Sequence, residues 1–590
     1  MFAPGSILLH DTLDPQGLNL LFTAPRRVLL AHDAQGVRSA LAELEAAQTQ
    51  GLWAAGYIAY EAGLVFEDRL TGRLPATSPT PLLWFGLYEA PQRLGAGAVQ
   101  RYLAECVGDR RGRATDIVPS QTLAQYRLAF DRVKQLIAAG DTYQVNLTLR
   151  ADFRLEGDPV ALYAALVRQQ PVAYGALLHT GEHWILSRSP ELFVASHGSR
   201  LNARPMKGTR RRGRSLAEDA AGRAALAADA KNRAENLMIT DLLRNDLGRI
   251  AEIGSVRVTD LFTVETYRTL HTMTSGITAT RRPGVSTGAL IENLFPCGSI
   301  TGAPKLRAME IIADLEAGPR GIYTGSIGFI APDGDLTFNV AIRTAVIGSD
   351  GRGSIGIGGG IVADSTLEDE YREALLKMAF FTNPTEPVTL IETLLWTPAE
   401  GYALRQRHLD RLADSAAYFA LPCDLAALNG LLDAQRFTAP MRVRLTLDAG
   451  GPALTAMALP PSPAVFRFTI ADTPLDSQSL WLAHKTTNRA FYDAPRQRAQ
   501  AAHGVDEVVF LNERGELTEG SITNLFVTRD GRLRTPPLAS GLLPGTLRAE
   551  LLATGQAVEQ VLTLADLADA EALWLGNSVR GLMPAQWVQP

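Results

Sequence analysis

A lysine stands between a proline and a glycine in Arg204–Thr209, RPMKGT. Lys207 could act as a nucleophile there if its pKa falls from about 10.4 towards about 7–8; the ordinary alternative is a surface lysine. Carboxylates recur at helical spacing in two places. In Lys231–Asp246, KNRAENLMITDLLRND, Glu235 shares a helical face with Met238 and Leu242. In Glu368–Lys377, EDEYREALLK, Glu370, Glu373 and Lys377 fall on one face. Either run alone reads as a salt-bridged, solvated face. Two carboxylates from two helices could instead hold Mg²⁺, which takes few protein carboxylates and completes its shell with substrate oxygens and water. The glycines of Gly356–Gly360, GIGGG, could turn backbone N–H groups towards a carboxylate, although tight hairpins also use glycine.

Strands must position these groups. Gly325–Ile330 and Leu336–Ile347 are expected to be strands joined by a turn at Pro332–Asp335. Along the second, Phe338, Val340, Ile342 and Val346 share one face, and Asn339, Ala341, Arg343 and Ala345 the other. Arg343 then sits among small neighbours with room for a ligand, or else on a solvated outer face. A further turn, Ser349–Arg352, leads to a third strand, so antiparallel sheet is predicted. Later in the chain come Lys485 in LWLAHKTTNRAFYD, Glu519 in DEVVFLNERGELTEGSITNLFV, and the turn GLLPGTLR at 541–548. A lysine, a downstream glutamate and N–H-rich turns able to bind phosphate are what a pyridoxal phosphate site needs. A generic α/β domain with hairpins explains any one of these segments equally well.

The 590 residues are 46% hydrophobic and 20% charged, with a net charge of −5. That balance excludes a disordered chain and supplies no basic footprint for nucleic acid. Charge interrupts every apolar stretch before 18 residues, so no membrane span is expected. The first thirty residues, with Asp11, Asp14 and Pro15, lack the regions of a secretory signal, and a cytoplasmic location is expected. Cys106, Cys297 and Cys423 are odd in number and far apart, which predicts neither a disulfide framework nor a zinc site. Two prolines, Pro384 and Pro387, mark a seam. Domains are therefore expected at 1–380 and 390–590 around a linker at 381–389. Pro460–Pro463, PPSP, divides the smaller part into lobes at about 390–460 and 464–590.

Order adds what the separate segments lack. SPE at 189, RPMKGT at 204, RAENLMITDLLRND at 233, LHTMTS at 270, FPCGSITGAPKLRAMEII at 295, GSIGF at 325, IRT at 342, GGGIVADS at 358 and EYRE at 370 form one series. The series closely resembles the chorismate-utilising enzymes over about Gly56–Lys377. That resemblance implies a β-sandwich with outer helices. It implies Mg²⁺ on Glu235 and Glu373 with Glu370 in support. It places the substrate carboxylates on Arg343, Lys377 and the amides of Gly358, Gly359 and Gly360. Tyr323 and Thr301 line the ring, His271 assists loss of a hydroxyl, and Glu191 is the general acid/base. Cys297 stands where glycine is common. Lys207 stands where anthranilate synthases usually carry alanine and aminodeoxychorismate synthases carry lysine. A lysine attacking ring carbon 2 leaves carbon 4 open to ammonia, whereas direct attack of ammonia at carbon 2 leads towards anthranilate. No glutaminase constellation is present, so a separate glutamine amidotransferase is implied as the source of ammonia.

The second half, about Leu390–Pro584, resembles fold-type IV pyridoxal phosphate enzymes, which implies a two-lobed domain and a homodimer through it. Lys485 would form the Schiff base and Glu519 would pair with the pyridine nitrogen. Arg411, Ser521, Ile522, Thr523 and Thr546 would hold the phosphate, and Tyr492 would meet the cofactor's phenolic oxygen. The resemblances together imply a fused aminodeoxychorismate synthase and lyase of α+β and α/β class, making 4-aminobenzoate for folate. A D-amino acid or branched-chain transaminase in the second half, or anthranilate synthase activity in the first, are the alternatives.

Overall fold

Alternating apolar residues build the first unit around two ten-stranded sheets, in a computed structural model that describes residues 2–14, 16–267, 270–382 and 388–589. The chain divides into two units, residues 1–211 with 223–384, and 212–222 with 385–590. Most of the expected linker, 383–387, lies outside the described residues.

One sheet of the first unit runs, in spatial order, Gly302–Ala303, Gln144–Gly157, Arg352–Ile361, Thr344–Gly348, His183–Ser189, Tyr174–His179 and Ile7–His10, then two short strands. The other runs Met206–Arg211, Leu270–Thr280, Arg200–Arg204, Leu192–His197, Leu336–Asn339, Ser326–Ile330 and Trp53–Ile58, then two more. The ladders are antiparallel. Ile7, Phe22 and Ile185 of one sheet and Tyr57, Trp84 and Phe329 of the other share a buried cluster, so the sheets pack face to face.

The expected single strand Leu336–Ile347 is broken. Leu336–Asn339 belongs to one sheet and Thr344–Gly348 to the other, and the chain crosses between them over residues 340–343. No straight strand can serve two packed sheets. Arg343 makes the turn in the left-handed region at φ +52°, so the alternation of faces expected from the sequence stops at Asn339. The crossing has a consequence for the neighbouring strand. Thr344–Gly348 pairs with Arg352–Ile361 only as far as Ala345 opposite Ile355. From Gly356 onward the glycine stretch keeps Gln144–Gly157 on one edge and has no strand on the other.

Buried charge ties the base of the site together. The Arg320 guanidinium donates to Glu316, to the carbonyls of Ile300 and Asn146, and to the Thr324 hydroxyl. Glu61 accepts from the Arg320 and Gly321 amides at 2.6 and 3.0 Å, and burial pushes its carboxyl up to about 7.

In the second unit a four-stranded sheet, Gly401–Tyr402, Leu390–Thr397, Met441–Asp448 and Gly451–Ala458, packs one face against the helices Arg405–Phe419 and Leu425–Asp433. An eight-stranded sheet follows from Phe466. Within it Leu517–Gly520 pairs with both Glu507–Leu511 and Asn524–Arg529, which closes six strands into a barrel.

Removing the Arg320 guanidinium strands Glu316 and two carbonyls in the interior. Arg320→Leu should cost about 3–5 kcal/mol, read as an earlier denaturant-induced transition of the first unit; a loss below about 1 kcal/mol would show that the network does not hold the base of the site.

Candidate active sites

The first site gathers on the glycine edge. Lys207 lies at the start of the strand Met206–Arg211, which pairs with Leu270–Thr280. Asn236, buried on the helix Ala230–Gly248, donates to the Lys207 and Met273 carbonyls and accepts from the Ser275 hydroxyl at 2.5 Å. It thereby fixes the Lys207 strand to that helix. A Cβ on Gly360 would fall 2.7 Å from Gln144 Nε2 and 3.1 Å from Lys207 Nζ. A Cβ on Gly359 would fall 2.9 Å from a Glu370 oxygen, and one on Gly356 would strike the Tyr323 ring. Glycine is needed here so that the reactive side chains can lie against bare backbone.

Charge sets the chemistry of these groups. Burial, then the Lys377 ammonium, push Lys207 down, against the pull of Glu235, Glu191 and Glu373. Lowering a lysine in this way favours its nucleophilic amine form. Glu191 sits in the turn between two strands, 3% exposed, and burial pushes its carboxyl up to about 7. The Ser299 hydroxyl, Lys207 and the Met206 amide oppose that rise, and Oε1 of Glu191 has no protein partner. Cys297 lies beside Ser299, Sγ to Oγ 3.2 Å, and burial, then the nearby Glu191 carboxylate, push its thiol up to about 12. A thiol held protonated brings no second anion to this corner.

Arg343 offers an anion slot. Among the described residues its buried Nη1 has no partner, and burial pushes the guanidinium down to about 10. Lys377 donates to the Gly358 carbonyl at 2.9 Å and pairs with Glu373 at 2.9 Å. Tyr323 is buried against Gly356, and the Thr301 hydroxyl donates to the Cys297 and Gly298 carbonyls. His271 is buried on the strand beside that of Lys207, its Nδ1 3.0 Å from the Thr266 hydroxyl.

The three expected metal carboxylates approach one region without closing into a cluster. Lys377 lowers the Glu373 carboxyl, whereas burial raises those of Glu235 and Glu370. Glu370 accepts from the Ser365 hydroxyl, and Glu373 adds to the rise at both Glu235 and Glu370. Among the described residues no three His, Cys, Asp or Glu side chains converge as a metal-holding group. Carboxylates that raise one another fit a divalent ion whose remaining ligands are substrate and water. Glu235 lies beside rather than on the buried helix face, which is made by Asn236, Ile239, Thr240 and Leu243.

The second site lines a cavity of about 650 Å³ in the second unit. Lys485 is pushed down to about 8 by burial and then by the Arg411 guanidinium. Glu519 accepts from the Tyr492 hydroxyl and Leu543 amide on one oxygen and from Asn524 on the other, and burial pushes it up to about 7. A buried carboxyl that high suits a cationic partner such as a protonated ring nitrogen. Arg411 donates twice to Glu392 and once to the Pro544 carbonyl. Burial alone would raise Glu392, yet Arg411 and His408 hold it down at about 2. His408 links Glu392, at 2.6 Å, to the Thr546 hydroxyl, at 3.3 Å. Thr546 begins a helix, Thr546–Ala553, whose cap residue Gly545 supplies no side-chain acceptor. Arg411, Thr546 and that helix start lie where a phosphate could be held.

Four residues depart from their expected roles. The Ser521 and Ile522 amides and the Ser521 and Thr523 hydroxyls all donate to the buried Glu507 carboxylate. These donors are committed, and a carboxylate beside them repels phosphate. Tyr492 spends its one proton on Glu519 at 2.6 Å, so it supports that carboxylate instead of meeting a phenolic oxygen. Gln144, Asn236, Glu392, His408 and Asn524 belong to the two sites and were not singled out in the sequence. Each nevertheless lies in a segment with a signal: Gln144 in DTYQVNL at 141–147, Asn236 in RAENLMITDLLRND, Glu392 in IETLLW, His408 in RHLDRL and Asn524 in SITNLFV.

Residues 7–383 match the family model for chorismate binding enzymes, and residues 389–587 match that for class IV amino-transferases. The chain belongs to the chorismate binding enzyme family and carries a class IV aminotransferase-like domain after it. The aminodeoxychorismate synthase of Streptomyces griseus is 47% identical over 256 residues, 43% of this chain and 35% of that protein. Aminodeoxychorismate synthase component 1 of Bacillus subtilis is 42% identical over 249 residues, 42% of this chain and 53% of that protein. The chain thus spans about half or less of the length of these curated relatives. Anthranilate synthase component I from Streptococcus pneumoniae has a like structure, with a TM-score of 0.52 and 25% identity over 65% of this chain and 91% of that one. No helix among the described residues is long and apolar enough to cross a membrane.

A carboxyl raised to about 7 holds its proton below that pH, shares it about equally at neutral pH and loses it as pH rises further. If Glu191 is the acid, kcat/KM of the first reaction should fall as pH rises through about 7. Glu191→Gln should abolish that fall and lower the rate by about 10²–10⁴-fold. An unchanged alkaline limb in the variant would assign the titration to another group.

Proposed function

We propose that the first site converts chorismate and ammonia to 4-amino-4-deoxychorismate, and that the second removes pyruvate from this product to leave 4-aminobenzoate, a folate precursor. The observation that carries the reading is the lowered Lys207 amine beside the raised Glu191 carboxyl, on a glycine edge with cationic carboxylate slots. The curated relatives in which such chemistry is named support it, as does the class IV domain that follows.

In the first site Arg343, Lys377 and the open glycine amides bind the two carboxylates of chorismate. Tyr323 and Thr301 bound the ring. The neutral Lys207 amine attacks carbon 2 as the carbon 4 hydroxyl leaves with a proton from Glu191. His271, on the adjoining strand, assists that departure. Ammonia then attacks carbon 4, the ring double bonds shift back, and Lys207 departs. Glu235 and Glu373, with Glu370, would hold Mg²⁺, which supplies charge neutralisation for a substrate carboxylate. Ammonia comes from a separate glutamine amidotransferase.

In the second site Arg411 and Thr546 would hold the phosphate of pyridoxal phosphate, with His408 and Glu392 orienting them. When bound, the cofactor supplies an electron sink for the carbon that loses its proton. Glu519 holds a proton at the ring nitrogen, and Tyr492 and Asn524 hold Glu519. Lys485 takes the proton from the amine-bearing carbon 4, and formation of the aromatic ring assists loss of enolpyruvate. The domain works as a homodimer in a cytoplasmic enzyme.

One incubation with chorismate, ammonia, Mg²⁺ and pyridoxal phosphate tests the whole reading, followed by product analysis. Lys207→Ala should lose most aminodeoxychorismate formation and divert part of the remainder to anthranilate; undiminished synthesis would remove Lys207 from the mechanism. Lys485→Ala should let aminodeoxychorismate accumulate without 4-aminobenzoate. If 4-aminobenzoate still forms at the parent rate, the second domain is not the lyase, and half-reaction spectra with D-alanine or branched-chain amino acids then test for a transaminase.

A further inference from the structure

Two arginines on the wall of the second cavity have no part in holding a cofactor. Arg442 and Arg444 lie on the strand Met441–Asp448 and both line the cavity that contains Lys485 and Glu519. Strand geometry explains why they act as a pair. Val443, Leu445 and Leu447 are buried towards the helices, so Arg442 and Arg444 project from the opposite face. Residues two apart on one strand stand about 6.6 Å from each other, which spaces two guanidinium groups along a single wall.

Neither arginine forms a salt bridge among the described residues, and the Arg442 guanidinium reaches only the Met457 sulfur. Among other cations that line the cavity, Arg411 pairs with Glu392, Arg489 with Asp493 and the Ser521 carbonyl, and Arg580 donates to the Ser462 hydroxyl. Arg442 is half-buried and Arg444 exposed, so the pair runs from inside the cavity to its mouth. Two cations left uncompensated on one face match two anionic groups on one ligand. An ordinary monocarboxylate amino acid would occupy one of them at most.

We infer that Arg442 and Arg444 select a dianionic amine, each guanidinium taking one of two carboxylates on the ligand while its amine-bearing carbon faces Lys485. The inference rests on the reading of the second site as the lyase, whose substrate carries one carboxylate on its ring and another on the enolpyruvyl group. It makes charge number the property by which this site separates that substrate from transaminase substrates.

The test uses the full chain loaded with pyridoxal phosphate. Arg442→Gln, Arg444→Gln and the double variant are compared with the parent by titration with chorismate, without ammonia or Mg²⁺. Chorismate is a dicarboxylate without an amine, and the cofactor's visible absorbance reports only the second site. The double variant should lose at least about tenfold in chorismate affinity and raise KM for aminodeoxychorismate by a similar factor. Affinity for the monocarboxylate 4-aminobenzoate should change less than about threefold, with cofactor affinity unaltered. Arg442→Lys and Arg444→Lys, which keep the charge, should recover most of the loss. Equal chorismate affinity in parent and double variant would overturn the inference, as would parallel loss of both ligands. Should the parent make no 4-aminobenzoate, the lyase reading fails by itself, and the chorismate titration still decides whether the arginines are a dianion anchor.

Discussion

Two lysine side chains share one small volume at the first site, and much of the surrounding structure is arranged around that closeness. Lys377 helps to push Lys207 down, while Lys377 itself pairs with Glu373 at 2.9 Å and donates to the Gly358 carbonyl. One lysine is therefore held in an ion pair, and the pKa of the other is lowered beside it. The division depends on glycine. Side chains at 359 or 360 would displace Glu370, Gln144 or Lys207, and the charges could no longer meet over bare backbone.

The crossing of the chain at 340–343 supplies the other half of that arrangement. By leaving one sheet for the other it frees an edge of the glycine strand and carries Arg343 to the site in a left-handed conformation. A buried guanidinium nitrogen without a partner is costly unless an anion arrives. The fold thus stores an unsatisfied donor where the chemistry needs a carboxylate bound.

The second unit solves the same electrostatic problem differently. Lys485 is depressed by burial and by Arg411, while Arg411 is neutralised from behind by Glu392, which His408 also contacts. The barrel closure at Glu519 opposite Asn524 places the carboxyl and its amide partner side by side. Glu507, on the neighbouring strand, takes up the donors of the following turn. In both units a lysine's pKa is lowered by desolvation and by a neighbouring cation that is itself paired with a carboxylate.

Much of this was legible in the residues. The ordered motifs from SPE to EYRE led to the chorismate binding family, and the lysine, glutamate and glycine turn of the second half led to the class IV domain. Linear order and residue type suffice for that, because such segments keep their sequence through the fold. What sequence cannot express is which donors are already spent. Ser521, Ile522, Thr523 and Tyr492 look free in a string of letters, and only packing brings Glu507 and Glu519 to claim their protons. Alternation likewise predicted one strand at 336–347, since local pattern carries no record of two sheets pulling the chain apart. Gln144, Asn236 and His408 join their sites through neighbours far away in sequence, and burial, not residue type, gives them their roles. Sequence by itself determined the family and singled out Lys207 and Lys485; tertiary structure decided that the pKa of each is lowered, because desolvation and distance exist only once the chain is packed.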